Sequence, residues 1–129
     1  MSPIMKWNCI IICFLSLLLS TPSIANAKRL HPEKWYQDRW CAKNGGKAEV
    51  VLPDKTRCDC IVAENAVEVE FANKWAESIG QSLYYSLQTG KRAGIVLIIE
   101  NDSDQKYWIR LNSTIQHFKL PIDTWSVKE

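Results

Sequence analysis

The stretch from Arg57 to Glu100 constrains this chain most. It reads Arg57-Cys58-Asp59-Cys60-Ile61, then Val67-Glu68-Val69-Glu70-Phe71, then a segment carrying Lys74, Glu77, Gln81 and Tyr85. It closes on the apolar run Gly94-Ile95-Val96-Leu97-Ile98-Ile99. Strict alternation in the second segment puts Val67, Val69 and Phe71 on one face of a strand and Glu68 and Glu70 on the other. The continuous apolar run predicts a strand covered on both faces. Two neighbouring carboxylates on a buried sheet are costly unless something cationic meets them.

The rest of the chain supplies a small α+β frame, mixed with α/β character. His31-Pro32-Glu33 predicts a helix start with Pro32 at the first helical position. Tyr36 and Trp40 share a stripe on that helix, and Gly45-Gly46 stops it. Residues 48–52, 57–62 and 66–71 read as three strands. Pro53-Asp54-Lys55-Thr56 makes one turn and Ala63-Glu64-Asn65 another, and such short links favour an antiparallel meander. Asn73 can cap a helix over 74–89 that ends at Gly90. Trp75, Ala76, Ile79, Leu83 and Leu87 recur on it at helical spacing. Lys74, Glu77, Gln81, Tyr84 or Tyr85, and Gln88 form a second, polar stripe. Asn101-Asp102-Ser103-Asp104 reads as a loop and 106–111 as a further strand. The tail around Phe118-Lys119-Leu120-Pro121 carries no pattern.

The first 27 residues read as a secretory signal. Lys6 precedes an apolar run over 10–19, and Ala25-Asn26-Ala27 offers small residues where signal peptidase cuts. An uncleaved anchor is the alternative. Residues 28–129 then form one domain, exported to the periplasm or secreted, with no membrane attachment after cleavage. The whole chain carries a net charge of +2. Lys6 is the only charge in the leader, so the remainder is nearly neutral. Bulk charge therefore does not mark a nucleic-acid binder, although Lys91-Arg92 and Lys28-Arg29-Lys34 are local basic patches.

Three cysteines lie beyond the leader: Cys41, Cys58 and Cys60. In an oxidising compartment this predicts one disulfide and one free thiol. Cys58 and Cys60 are two apart on a strand and are expected to share a face, so Cys41 can pair with either but not both. A zinc site completed by His31 or His117 is the other chemistry open to them, and three buried free thiols a third.

An antiparallel hairpin brings Asp59 beside Glu68. Carboxylates clustered at that reach suit a hard divalent cation such as Mg²⁺ or Mn²⁺. Such an ion can activate water and stabilise charge developing on a phosphate.

In this arrangement the chain resembles the PD-(D/E)XK, or restriction-endonuclease-like, nuclease superfamily. That family has an Asp and then a (D/E)-x-K element on adjacent strands, followed by a helix and a buried strand. Asp59 matches the first carboxylate and Glu68-Val69-Glu70 the second element, except that Glu70 stands where Lys is usual. In some members the Lys lies on the following helix, where Lys74 stands here. Gln81-Ser82-Leu83-Tyr84-Tyr85 looks like the Q-x-x-x-Y motif of the recombination-exonuclease branch. In that branch an acidic residue of an early helix, here Glu33, completes the site. The resemblance covers roughly residues 33–100. It implies hydrolysis of a DNA phosphodiester, with Mg²⁺ or Mn²⁺ as cofactor. Metal ligands would be Glu33, Asp59 and Glu68. Asp59, Glu68, Glu70 and Lys74 would form the catalytic set, and Gln81 and Tyr85 would contact substrate.

Plainer roles exist for the same residues. Glu68 and Glu70 can be the solvated face of an edge strand. Asp59 can pair with Arg57, and Lys74 and Glu77 can be an ordinary first helical turn. Glu33 favours the helix dipole without chemistry. The missing Lys at position 70, the near-neutral charge and the export signal suit a binding module that kept the fold and lost catalysis. A disulfide-stapled secreted interaction protein is a third class. Metal-dependent stabilisation separates the first class from the other two.

Overall fold

The computed structural model describes residues 28–129. The expectations for residues 1–27, a signal segment and its cleavage after Ala27, lie outside the described residues. The order of elements is α1 (Glu33–Lys43), β1 (Lys47–Val51), β2 (Arg57–Ile61), β3 (Asn65–Phe71), α2 (Trp75–Thr89), β4 (Arg92–Ile98), α3 (Gln105–Phe118) and β5 (Ile122–Val127). Short 3₁₀ turns, Ala72–Lys74 and Asp102–Asp104, lead into α2 and α3. The five strands form one sheet in the order β1-β2-β3-β4-β5. β1, β2 and β3 pair antiparallel, whereas β3, β4 and β5 run parallel. The fold is α+β with a mixed sheet.

Connection length explains this topology. Tight turns can only return the chain antiparallel, which makes the β1–β3 meander. Parallel neighbours need a crossover, and α2 and α3 supply the two. Both helices cover one sheet face and α1 covers the other. On the α1 face Tyr36, Cys41, Cys60, Val67, Val69, Phe71, Val96 and Ile98 form the core. On the opposite face Ala93, Ile95, Leu97, Leu111, Ile115 and Ile122 do so. The unbroken apolar run of β4 serves both layers.

α2 meets the sheet through small residues. Ser78 and Ser82 are fully buried, with Trp75, Ile79 and Leu83 beside them against the second core. Their hydroxyls donate to the carbonyls of Trp75 and Ile79, so no polar group is stranded. Leu87, expected on the apolar stripe, is 76 % exposed. Gly90 ends the helix at φ 70°, a left-handed conformation that suits glycine.

Several sequence expectations are corrected. Residues 106–111 are not a strand but the first half of α3. The patternless tail leads into β5, the edge strand. Pro32 is the N-cap of α1 rather than its first helical residue. Asn73 does not cap α2; its Oδ1 accepts from Arg29 Nη2 at 2.6 Å. No helix among the described residues is long and apolar enough to cross a membrane.

Cys41 and Cys60 form a disulfide, with Cα atoms 5.8 Å apart. Cys58 is a buried free thiol. The shared-face expectation fails. Cys60 packs in the α1-face core, while Cys58 packs with Leu52 and Ala66 beside Tyr85 of α2. The strand changes face at Asp59, between them. β1 does the same opposite: Ala48 packs against the α1-face core and Val50 against the cluster around Cys58. Glu49, between these two, has φ 54°, a left-handed value unusual for a residue with a side chain.

Candidate functional site

The change of face at Glu49 and Asp59 creates the site. β2 and β3 pair at Cys60↔Val67 and Ile61↔Ala66. Beyond that point the Asp59 side chain takes over, and its Oδ2 accepts the Val69 N–H at 2.8 Å. A strand parting from its neighbour would leave that buried amide unpaired, at a cost of about 1–3 kcal/mol. Asp59 removes the cost and in doing so turns its carboxylate toward β3.

Glu68 and Glu70 are on the α2 side of β3 and are 3 % and 6 % exposed. They are not a solvated strand face. Glu68 lies within hydrogen-bonding reach of Asp59. Burial, then the charge of Asp59, push the Glu68 carboxyl far above the usual carboxylate range. Burial also raises Asp59, against the Val69 amide and the Glu68 proton, which both favour its ionised form. Burial and mutual repulsion thus both act against two negative charges on this pair. Glu68 Oε2 is buried and has no hydrogen-bond partner among the described residues.

Glu70 Oε1 accepts the Phe71 N–H at 2.9 Å and stands 3.9 Å from Lys74 Nζ. Glu33, in the first turn of α1, reaches Glu70 from the other layer. Its pKa is raised to about 8, first by burial, then by the hydrogen bond to Glu70 and by the charges of Glu70 and Asp59, with Lys74 opposing. Tyr85 of α2 is half-buried with its hydroxyl in reach of Glu68. Burial and the nearby acids raise its phenol. Gln81 is exposed, one turn before Tyr85. Asp59, Glu68, Glu70, Glu33, Lys74 and Tyr85 are thus brought together. They stand as two carboxyl pairs, and among the described residues no three His, Cys, Asp or Glu side chains form a ready set of metal ligands.

Arg57 does not pair with Asp59. Its guanidinium lies 3.8 Å from Glu49 Oε2. Two further residues, not picked out from sequence, hold the site's geometry. Gln37 is 3 % exposed, and its amide nitrogen donates to Glu49 Oε1 at 2.9 Å and to the Asp59 carbonyl at 3.0 Å. Its spacing of four from Glu33 places both on one face of α1, a signal the sequence does contain. The left-handed backbone of Glu49 leaves no such trace. The Cys41–Cys60 bridge fixes α1 next to Asp59, and so sets Glu33 and Gln37 over the site.

No protein-family model matches this chain, and neither a curated protein nor a solved structure does.

Proposed function

We propose that this chain is a divalent-metal-dependent phosphodiesterase acting on DNA, built on a restriction-endonuclease-like core. The order of elements supports that core: an early helix, an acidic hairpin, a crossover helix and a buried parallel strand. The observation that carries the proposal is Glu68. A buried carboxyl with an oxygen lacking any partner, set against Asp59, is destabilising for a purely structural domain. It is what a cation site requires before loading.

The donors fit a hard cation. Their chemistry is that of carboxylate oxygens, with Glu68 Oε2 unpartnered among the described residues. Glu33, engaged with Glu70 in the metal-free protein, would have to turn to the Asp59–Glu68 pair to complete the set. Asp59, Glu68 and Glu33 would hold Mg²⁺ or Mn²⁺, with the Val69 carbonyl available as a neutral donor. When bound, the ion would supply a water of lowered pKa and charge stabilisation at phosphate. The chain's own residues do the rest. Asp59 and Glu68 would both be ionised around the ion, any proton held between them leaving to solvent. Lys74, at the rim, is placed to orient a phosphate oxygen. Glu70 is engaged by the Phe71 amide and faces Lys74, so the pair can hold a water between them. Gln81 and Tyr85 face the substrate backbone from α2.

The test is cleavage of linear, circular and single-stranded DNA with Mg²⁺ or Mn²⁺, using Asp59→Asn as control. Metal-dependent cutting that this variant loses is the expected result. A second reading, a nuclease-fold binding module without catalysis, is favoured by Glu70 in the usual Lys position. Metal-dependent stabilisation without cutting would support it, and Glu70→Lys then becomes the variant to assay.

A further inference from the structure

A second feature lies on the opposite side of the sheet from Glu68 and Glu70. A cleft of about 940 Å³ runs between α1 and β5. That is near the upper end of the roughly 300–1,000 Å³ usual for binding clefts. Its floor is Trp40, Trp125 and Val127, and its cationic rim is Arg39, Lys43 and Lys128. Glu129, the acid at the rim, is already engaged with His31 at 2.8 Å. The cleft therefore favours an anionic occupant.

The two edges of the sheet differ. β1 is blunted by the left-handed Glu49 and by the charges of Lys47 and Glu49, devices that discourage strand addition. β5 contains no proline, no positive φ and no bulge, and among the described residues no strand pairs with its outer side. The Val127 carbonyl accepts from Ile99 N, so Val127 and Trp125 direct their backbone groups to β4. By alternation, Thr124 and Ser126 direct theirs to the open edge.

We propose that β5 and this cleft form a docking site for an acidic, extended peptide segment of a partner protein, which adds to the sheet as a further strand. Backbone hydrogen bonds to Thr124 and Ser126 would anchor it. Alternate side chains would enter the Trp40–Trp125–Val127 slot, and flanking acids would meet Arg39, Lys43 and Lys128. A single-stranded nucleic acid is the competing anion, but it binds by stacking bases on free aromatic faces. Here the indoles line the cleft without offering a row of free, parallel faces. Trp35 is stacked by His31 at 3.8 Å and by Arg39 at 4.5 Å, and Trp40 lies 5.2 Å from Trp125. Trp125 is in turn laid over Gly94. The proposal is independent of catalysis at Asp59 and Glu68.

The test is selection of random peptides from a display library on the purified protein, repeated with Ser126→Pro and with the Arg39→Glu/Lys43→Glu double variant. Pro at an outward-facing edge position removes one open N–H and leaves the β4 ladder intact. The expected result is enrichment of peptides with alternating apolar residues flanked by Asp or Glu. Their binding should weaken at least about tenfold in either variant, a loss of about 1.4 kcal/mol, while far-UV circular dichroism is unchanged. No enrichment, or enrichment indifferent to Ser126→Pro, overturns the proposal. So does finding that a short oligothymidylate binds the wild type, loses affinity in the Arg39→Glu/Lys43→Glu variant, and displaces any selected peptide.

Discussion

The carboxylate of Asp59 accepts the backbone N–H of Val69 at 2.8 Å, across the point where β2 leaves β3. One side chain thereby closes the sheet's hydrogen-bond ladder and sets a carboxylate beside Glu68. The two roles separate on substitution. Asp59→Ala leaves the buried Val69 amide unpaired and should cost about 1–3 kcal/mol in urea unfolding. Asp59→Asn keeps an acceptor oxygen and should stay within about 1 kcal/mol of wild type. Equal losses in the two variants would show that the charge, not the acceptor, holds the strand.

Replacing the titratable Glu68 with a neutral amide should remove a pH-dependent cost from the metal-free protein. The carboxyl's folded pKa is raised above the unfolded value of 4.5. Stability from such a group is fully present below that unfolded value. It falls as pH rises toward the folded pKa, because the unfolded chain ionises first. Glu33, raised to about 8, adds to the same slope. Wild-type stability should therefore decline from about pH 5 to pH 8, and Glu68→Gln should decline less. The comparison is two series of urea melts in metal-free buffer. A wild type that gains stability over that window relative to Glu68→Gln would contradict the burial of this acid.

The disulfide should matter more than its position near one end of the fold suggests. Cys41 and Cys60 are 19 residues apart, and closing a loop of that size is worth about 3 kcal/mol in chain entropy. Reduction should lower the melting temperature by well over 10 °C in a domain of this size. Gly46→Ala should act through the same contact. A Cβ there would lie 2.5 Å from Cys60 Sγ and 2.8 Å from Cys41 Sγ. About 1–3 kcal/mol of destabilisation is expected from the overpacking. That penalty should shrink once the bridge is replaced by Cys41→Ala/Cys60→Ala.

Strong local patterns made the meander, α2 and β4 legible. Glu68 and Glu70 alternate with Val67, Val69 and Phe71, and no other pattern fits residues 95–99 as well as a buried strand. α3 was hidden because its buried residues are few: Leu111 and Ile115 face the core, while Ile109 and Phe118 are apolar yet exposed. The better signal was Asn101 with Asp104, which form a capping box ahead of it. β5 is an edge strand with only Ile122 fully inside, so it carries little alternation. For the site, parity put Glu68 and Glu70 on one face but could not say what covers that face. Cover depends on α2 lying close through Ser78 and Ser82. The opposed faces of Cys58 and Cys60 follow from the backbone turn at Glu49 and Asp59, which strand parity excludes by construction.

Divalent-metal stabilisation tests the central claim most directly. Thermal unfolding of wild type, Asp59→Asn and Glu68→Gln should be followed at pH 8 with Mg²⁺ and Mn²⁺ titrated from zero. A cation bound only by the folded state contributes about 2.7 kcal/mol at a hundredfold excess over its Kd. In a domain of this size that raises the melting temperature by about 10 °C or more. The expected result is such a rise in the wild type, and its loss in both variants. A wild-type melting curve that neither metal moves, or an equal rise in all three proteins, would contradict the assignment of Asp59 and Glu68 as a metal site.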